Sequence, residues 1–117
     1  MDRIDDLQKK VADFRDKRDW AQFHNPKDLA IAISIEASEL LECFRWKTIE
    51  EVKILMDSNK SSSVKEEMAD ILLLLLNLAD TTGIDVVAEA HHKLELNDRK
   101  YPVEKSKGSA KKYTEFD

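Results

Sequence analysis

The chain has 117 residues, so we expect one domain over residues 1–117 with a modest core. Apolar residues make up 42% and charged residues 37%, a balance that suits a soluble protein and argues against wholesale disorder. The net charge of -5 argues against a nucleic-acid polymer as partner, because such partners usually meet a basic face. It does not exclude a nucleotide, since a divalent cation can bridge acidic groups to phosphates.

The sequence shows no sign of export or of a membrane anchor. Its single cysteine, Cys43, has no partner for an intrachain disulfide, so nothing requires an oxidising compartment. The first residues lack the apolar stretch of a signal peptide. The longest apolar run, from Ile71 to Leu76, is far shorter than the ~20 residues that span a bilayer. We therefore predict a cytoplasmic protein with no membrane partner.

The first part of the chain predicts two helices. Apolar residues at helical spacing near the N-terminus predict an amphipathic helix that ends near Arg18. The segment from Trp20 to His24 is predicted as a connecting loop. Asn25 and Pro26 are typical of a helix start, because Asn caps free amides and Pro at the first position loses no hydrogen bond. This second helix is predicted to run to about Trp46.

A short third helix and a polar loop follow. Thr48 and Glu51 have the spacing of a capping box, which predicts a helix that continues through Met56. Residues 57–63 are polar and contain no apolar side chain that would anchor them to a core. We therefore predict a mobile loop over these residues.

Two more helices complete the predicted elements. The fourth runs from about Val64 to Thr81, and Gly83 lies where a left-handed cap would end it. Asp85 caps the fifth helix, which is predicted to end at Tyr101, before a proline. Residues 103–117 are lysine-rich and show no helical period, so we predict a polar C-terminal tail.

The second and fourth helices are apolar on nearly all sides. A helix of this kind must be buried on several faces. In so short a chain, this predicts an all-α fold of about five helices with a four-helix-bundle-type core. It also indicates that homo-oligomerisation completes the core.

Two pairs of carboxylates interrupt these apolar helices. Residues three apart share one helical face, so each pair points in one direction. Burying an unpaired carboxylate costs several kcal/mol, so such groups must be paired, protonated or bound to metal. Four oxygen donors from two helices are the ligands that Mg²⁺ prefers. The predicted metal ligands and catalytic residues are Glu36, Glu39, Glu67 and Asp70.

Chance is the alternative explanation for these pairs. Acidic residues number 24 in this chain, and Glu39 and Glu42 form another pair with the same spacing. The apolar flanks favour a metal site, because a solvated face would not be bordered by Ile33, Leu40 and Ile71.

Polar and aromatic residues elsewhere are candidates for substrate binding. Lys93, Asn97 and Lys100 form one stripe that ends beside Tyr101, and it can bind phosphate oxygens or be a solvated basic face. Aromatic side chains at the ends of the second helix can stack on a nucleobase or pack in a core or interface. These aromatic residues are Trp20, His24 and Trp46.

The histidine pair His91-His92 is metal-like in composition only. Together with Glu89 it forms a single Glu-x-x-His motif, whereas a di-iron carboxylate bundle needs two. We interpret both histidines as surface residues.

The ordered set of motifs resembles the MazG-like, all-α nucleoside triphosphate (NTP) pyrophosphohydrolase superfamily, and most closely its dCTP pyrophosphatase branch. Either four-residue acidic motif alone is weak, but the resemblance extends from about Trp20 to Tyr113. The motifs are Trp20-x-x-Phe23-His24-x-Pro26, Glu36-x-x-Glu39, Phe44-Arg45-Trp46, Glu67-x-x-Asp70, Lys93-x-x-x-Asn97-x-x-Lys100-Tyr101-Pro102 and Lys107-Gly108-Ser109-Ala110-x-Lys112-Tyr113.

The resemblance implies hydrolysis between the α- and β-phosphates of a nucleoside triphosphate, with Mg²⁺, or Mn²⁺ in its place, on the four carboxylates. It implies that Glu39 orients the attacking water and that Lys93 and Lys100 hold phosphates. The base and sugar are then held by His24, Trp46, Asn97 and Tyr101. It also implies a homodimer or a homotetramer built as a dimer of dimers, and a role in house-cleaning of the nucleotide pool.

Two alternatives remain open at the level of sequence. One is a non-enzymatic helical interaction module, whose apolar helices serve dimerisation only. The other is a superfamily member that acts on a different nucleotide, such as dUTP or phosphoribosyl-ATP. The sequence does not rank one base above another.

Overall fold

The computed structural model describes residues 2–116, and every regular element among them is helical. The all-α fold class is confirmed, with six α-helices in these residues where about five were predicted. The helices are α1 (Arg3–Lys17), α2 (Pro26–Phe44), α3 (Ile49–Asp57), α4 (Ser62–Thr82), α5 (Val86–Lys100) and α6 (Val103–Ser106), with 3₁₀ turns at Ala21–Phe23 and Tyr113–Glu115.

The chain divides into two compact units. The first ends at Gly83 and contains helices α1 to α4, whereas the second begins at Ile84 and contains α5 and α6. The prediction of one domain over residues 1–117 stays a prediction.

Helices α2 and α3 begin where local capping signals predict that they should. The side chain of Asn25 accepts a hydrogen bond from the Asp28 amide at 2.9 Å, and Pro26 occupies the first turn of α2. The capping box of α3 is formed in both directions between Thr48 and Glu51. Each cap satisfies amides that have no partner inside the helix, which is why such short motifs locate helix ends.

Three segments are more helical than predicted, and the first is the predicted loop before α2, which contains the 3₁₀ turn Ala21–Phe23. Helix α4 begins at Ser62, within the predicted loop, and the preceding Ser61 is buried. The tail predicted over residues 103–117 contains α6 and a 3₁₀ turn. Within the second unit, the rings of Tyr113 and Phe116 meet the Tyr101 ring edge-on, with centroids 5.9 and 5.7 Å away. These contacts hold the tail on the end of α5 without any helical period.

In the first unit, α4 packs against both α2 and α1. Helices α2 and α4 run antiparallel, since Cys43 near the end of α2 shares a depression with Val64, near the start of α4. The small core between these helices is apolar. Its buried members are Leu29 on α2 and Val64, Leu76 and Ala79 on α4.

Much of the apolar surface of α2 and α4 is exposed in the single chain. Ile35 is 53% exposed and Leu41 is 61% exposed on α2, while Met68 on α4 is 58% exposed. The single chain therefore does not provide the all-round burial that the apolar sequences of α2 and α4 predict. Homo-oligomerisation stays a prediction. No single helix among the described residues is long and apolar enough to cross a membrane. Among these residues, only α4 and α5 taken together as one interrupted segment have the length and the apolar composition of a membrane span.

The C-terminus of α4 provides a test of the fold. Gly83 has φ +72°, and a Cβ built on it would meet nothing within 4 Å. We expect Gly83→Ala to lower the free energy of unfolding by about 1 kcal/mol, because only the left-handed backbone is unfavourable for a side chain there. Gly83→Asn is the matched control, since Asn tolerates this conformation. Urea denaturation at fixed protein concentration measures both, and equal losses in the two variants would contradict this explanation.

Candidate metal centre and adjoining pocket

The structure brings three of the four predicted carboxylates together. Glu36 extends from α2, and Glu67 and Asp70 extend from one face of α4. One carboxylate oxygen from each residue lies within 4.8 Å of those of the other two. A group of hard, anionic oxygens at this separation is suited to a divalent cation.

The electrostatics of this centre are those of crowded carboxylates. The pKa of Glu67 is raised to about 7, first because its protonated form hydrogen-bonds Glu36, then by burial and by the charge of Glu39. In the described part of the chain, Oε2 of Glu36 and Oε2 of Glu67 are buried, and unless one of the two acids is protonated neither oxygen has a hydrogen-bond partner in the protein. Buried oxygens of this kind need a proton or a cation.

Glu39 lies one helical turn beyond Glu36 and is more exposed. It lies outside the group of three mutually close carboxylates, yet its charge acts on Glu67. Glu39 is therefore at the edge of the centre, where a carboxylate remains accessible to water.

A largely apolar pocket of about 390 Å³, named the aromatic pocket below, lies in the same unit, between α1, α4 and the turn that precedes α2. The Trp20 ring forms edge contacts with Phe14 at 5.8 Å and with His24 at 6.4 Å, measured between centroids. Leu74 and Asn77 of α4 line the opposite wall.

The pocket and the carboxylates share one face of α4. Asp70, Leu74 and Asn77 follow each other at spacings of four and three residues, which places them in one stripe along the helix. With a rise of about 1.5 Å per residue, Asn77 lies about 10 Å along the axis from Asp70. The stripe therefore leads from the acidic centre into the pocket.

The aromatic residues at the two ends of α2 have different surroundings. His24 lines the pocket at the start of the helix, whereas Trp46 lies beyond its other end and is 85% exposed. Trp46 has φ +70°, and the Arg45 guanidinium carbon lies 4.4 Å from its ring centroid. A 19-residue helix of about 28 Å separates the two residues.

The other predicted substrate contacts lie in the second unit. Lys93, Asn97 and Lys100 are all on α5, as the helical spacing requires. Tyr101 caps α5, and the Lys100 ammonium lies 5.0 Å from the Tyr113 ring centroid. Their roles in binding stay predictions. His91 and His92 are exposed on the same helix.

Sequence reasoning missed a polar network beside the pocket. Arg15, whose side chain is 11% exposed, forms an ion pair with Asp80 at 2.8 Å and donates to Asn77 at 3.1 Å. The amide of Asn77 also lies 3.0 Å from Nδ1 of His24. The one available signal was an amide between Leu76 and Leu78 in an apolar helix; nothing distinguished Arg15 from the other charges of α1.

Fold and site together define an all-α protein with an acidic centre between two antiparallel helices. Residues 31–116 match the MazG-like family. The chain is similar to dCTP pyrophosphatase 1 of Bos taurus (38% identity; 97% of this chain, 68% of that protein) and of Homo sapiens (34%; 97% and 67%). It also resembles the crystal structure of a pyrophosphatase from Archaeoglobus fulgidus (40% identity; 87% of this chain, 94% of that chain; TM-score 0.79). The chain belongs to the MazG-like family, which confirms the resemblance found in the sequence.

The raised pKa of Glu67 predicts a pH-dependent stability for the metal-free protein. Between pH 4.5 and about 7 the folded protein holds a proton that the unfolded chain has released. The stabilisation of the folded protein by this proton is complete below pH 4.5 and is lost as the pH rises through about 7. We expect metal-free Glu67→Gln to have a higher thermal midpoint than the wild type at pH 8, with a difference that shrinks towards pH 5.

Glu66→Gln is the matched control, because it neutralises the adjacent, exposed carboxylate on α4. Thermal melts with EDTA across this pH range measure all three proteins. A constant difference between Glu67→Gln and the wild type at every pH would show that Glu67 is an ordinary carboxylate.

Proposed function

We propose that this chain hydrolyses deoxynucleoside triphosphates to a nucleoside monophosphate and pyrophosphate, with dCTP-like substrates, as a house-cleaning enzyme of the nucleotide pool. The observation that carries the proposal is the crowded carboxylate centre on a stripe that continues into an aromatic pocket. Membership of the MazG-like family and the similarity to a dCTP pyrophosphatase and to a pyrophosphatase support the reaction class.

The donor set fits a hard divalent cation. Glu36 and Glu67 each have a buried oxygen without a protein partner, and Asp70 adds a third oxygen nearby. We assign Mg²⁺ as the cofactor, with Mn²⁺ as a substitute, held by Glu36, Glu39, Glu67 and Asp70. When bound, the cation would neutralise triphosphate charge and lower the pKa of a coordinated water.

The residues of the chain then have separate tasks. Glu39, at the accessible edge of the centre, accepts the proton of the water that attacks the α-phosphorus. The bond to the β-phosphate breaks, and pyrophosphate leaves. The nucleoside lies in the aromatic pocket against Trp20 and His24, because base stacking on such rings is worth about 1–3 kcal/mol.

A homodimer, or a dimer of dimers, would bury the exposed apolar residues of α2 and α4. Burial of apolar surface contributes about 25 cal/mol per Å², so side chains such as Ile35 and Leu41 favour association. Trp46 is too far from His24 to reach the same base on one chain. In an assembly, a second subunit can supply the distant Trp46.

Metal dependence is the first test of this function. We expect Asp70→Asn to lower kcat/KM on the order of 100-fold, because it removes an anionic metal ligand. Glu42→Gln is the control, since Glu42 is an exposed carboxylate on α2 that pairs with Arg45. Pyrophosphate release from dCTP, with circular dichroism to verify the fold, measures both variants. Full wild-type activity in excess EDTA would disprove the metal assignment.

The products test the bond that is cleaved. We expect a dCTP digest to contain dCMP and pyrophosphate in equal amounts, because the proposed attack is on the α-phosphorus. Anion-exchange chromatography separates these products from dCDP and phosphate. Accumulation of dCDP would contradict the proposed reaction, and a panel of other nucleoside triphosphates would identify the preferred base.

A further inference from the structure

Asn77 is the most buried polar side chain that lines the aromatic pocket, with 6% of its surface exposed. It interrupts an apolar stretch of α4, where an amide is unfavourable unless both of its ends are hydrogen-bonded. Both ends have partners: Oδ1 accepts from Arg15 at 3.1 Å, and Nδ2 lies 3.0 Å from Nδ1 of His24. The proposed hydrolysis does not use Asn77, so its presence in the pocket requires another explanation.

Arg15 determines which way the Asn77 amide points. A guanidinium has only donors, so the Asn77 atom that faces it must be the oxygen. Arg15 is itself held by Asp16 at 2.9 Å and by Asp80 at 2.8 Å, which keeps its charge in place. The amide nitrogen of Asn77 is therefore directed at the imidazole.

The amide in turn determines the tautomer of His24. Asn77 Nδ2 can only donate, so Nδ1 of His24 must accept. A neutral imidazole that accepts at Nδ1 has its proton on Nε2. His24 then offers Nε2–H as the donor of its ring, on a side chain that lines the pocket.

We propose that Asn77 is a positioning residue for His24. Oriented by Arg15, it holds His24 as the Nε2–H tautomer, so the pocket selects a nucleobase with a hydrogen-bond acceptor on the edge that faces His24. This inference rests on the proposed function for its substrate. A ring nitrogen or carbonyl oxygen of the base accepts the hydrogen bond from His24. A base edge that presents N–H instead places a second donor opposite Nε2–H, and neither donor is then satisfied. Such a mismatch in a largely apolar pocket discriminates between ligands.

The tautomer can be measured without any substrate. In the full chain labelled with ¹⁵N-histidine, long-range proton–nitrogen NMR distinguishes Nδ1–H from Nε2–H. We expect Nε2–H for His24 in the wild type. Asn77→Asp keeps the side-chain shape and an acceptor for Arg15 but cannot donate, so at a pH where the His24 ring is neutral we expect its proton to move from Nε2 to Nδ1. His91 and His92, exposed on α5, are internal references whose signals stay unchanged.

A purely structural role for Asn77 would alter thermal stability but not the tautomer. A wild-type His24 with its proton on Nδ1 would overturn the inference. An unchanged Nε2–H tautomer in Asn77→Asp would overturn it as well. Thr81→Val is the matched control, because Thr81 also contacts Asn77 Oδ1, at 3.4 Å, but does not direct the amide at His24. We expect this variant to keep the wild-type tautomer.

Kinetics then test whether the substrate uses this donor. For Asn77→Asp we expect the KM for dCTP to rise about tenfold, which corresponds to ~1.4 kcal/mol, with kcat within about twofold of the wild type. A switched tautomer with an unchanged KM would overturn the selection of the base. A wild-type protein that releases no pyrophosphate from any nucleotide would instead refute the proposed function, while the NMR result still decides the role of Asn77.

Discussion

The close approach of Glu36 and Glu67 between α2 and α4 is the constraint on which the first unit depends. Two carboxylates with buried oxygens repel each other and lose hydration, so the helices must be held together by packing elsewhere. Leu29 and Leu76 provide that packing, in the same pair of antiparallel helices. Apolar residues in place of the two carboxylates would give a more stable bundle, and the unfavourable pair is therefore best explained by a binding role.

Helix α4 connects the two halves of the candidate site. Its first part contributes Glu67 and Asp70, and the same face later contributes Leu74 and Asn77 to the pocket. A straight helix fixes the distance between these groups more rigidly than a loop can. Because the separation of about 10 Å is set by the helical rise, an extended ligand with an anionic end and a flat end fits this arrangement.

The sequence predicted helix boundaries well where the signal is local. Asn25, Thr48 and Asp85 each satisfy free amides within three residues, so their effect is visible in a short window. The start of α4 was misplaced because Ser61 makes no side-chain cap. The 3₁₀ turn at Tyr113–Glu115 was missed because the tail around it is held by ring contacts of Tyr113 and Phe116 with Tyr101 rather than by any period.

The contrast between local signals and long-range contacts also holds for the candidate site. The carboxylates were predictable because three-residue spacing is local, whereas Arg15 and Asn77 are 62 positions apart, and no sequence pattern connects them.

The acidic centre has exposed apolar neighbours. Ile35 precedes Glu36 in the sequence, and Met68 follows Glu67, yet both apolar side chains are more than half exposed. Covering them would remove water from the acidic centre and strengthen both carboxylate repulsion and cation attraction. Cation binding is therefore expected to favour self-association, because the cation relieves the repulsion that association strengthens, and linkage makes the effect reciprocal.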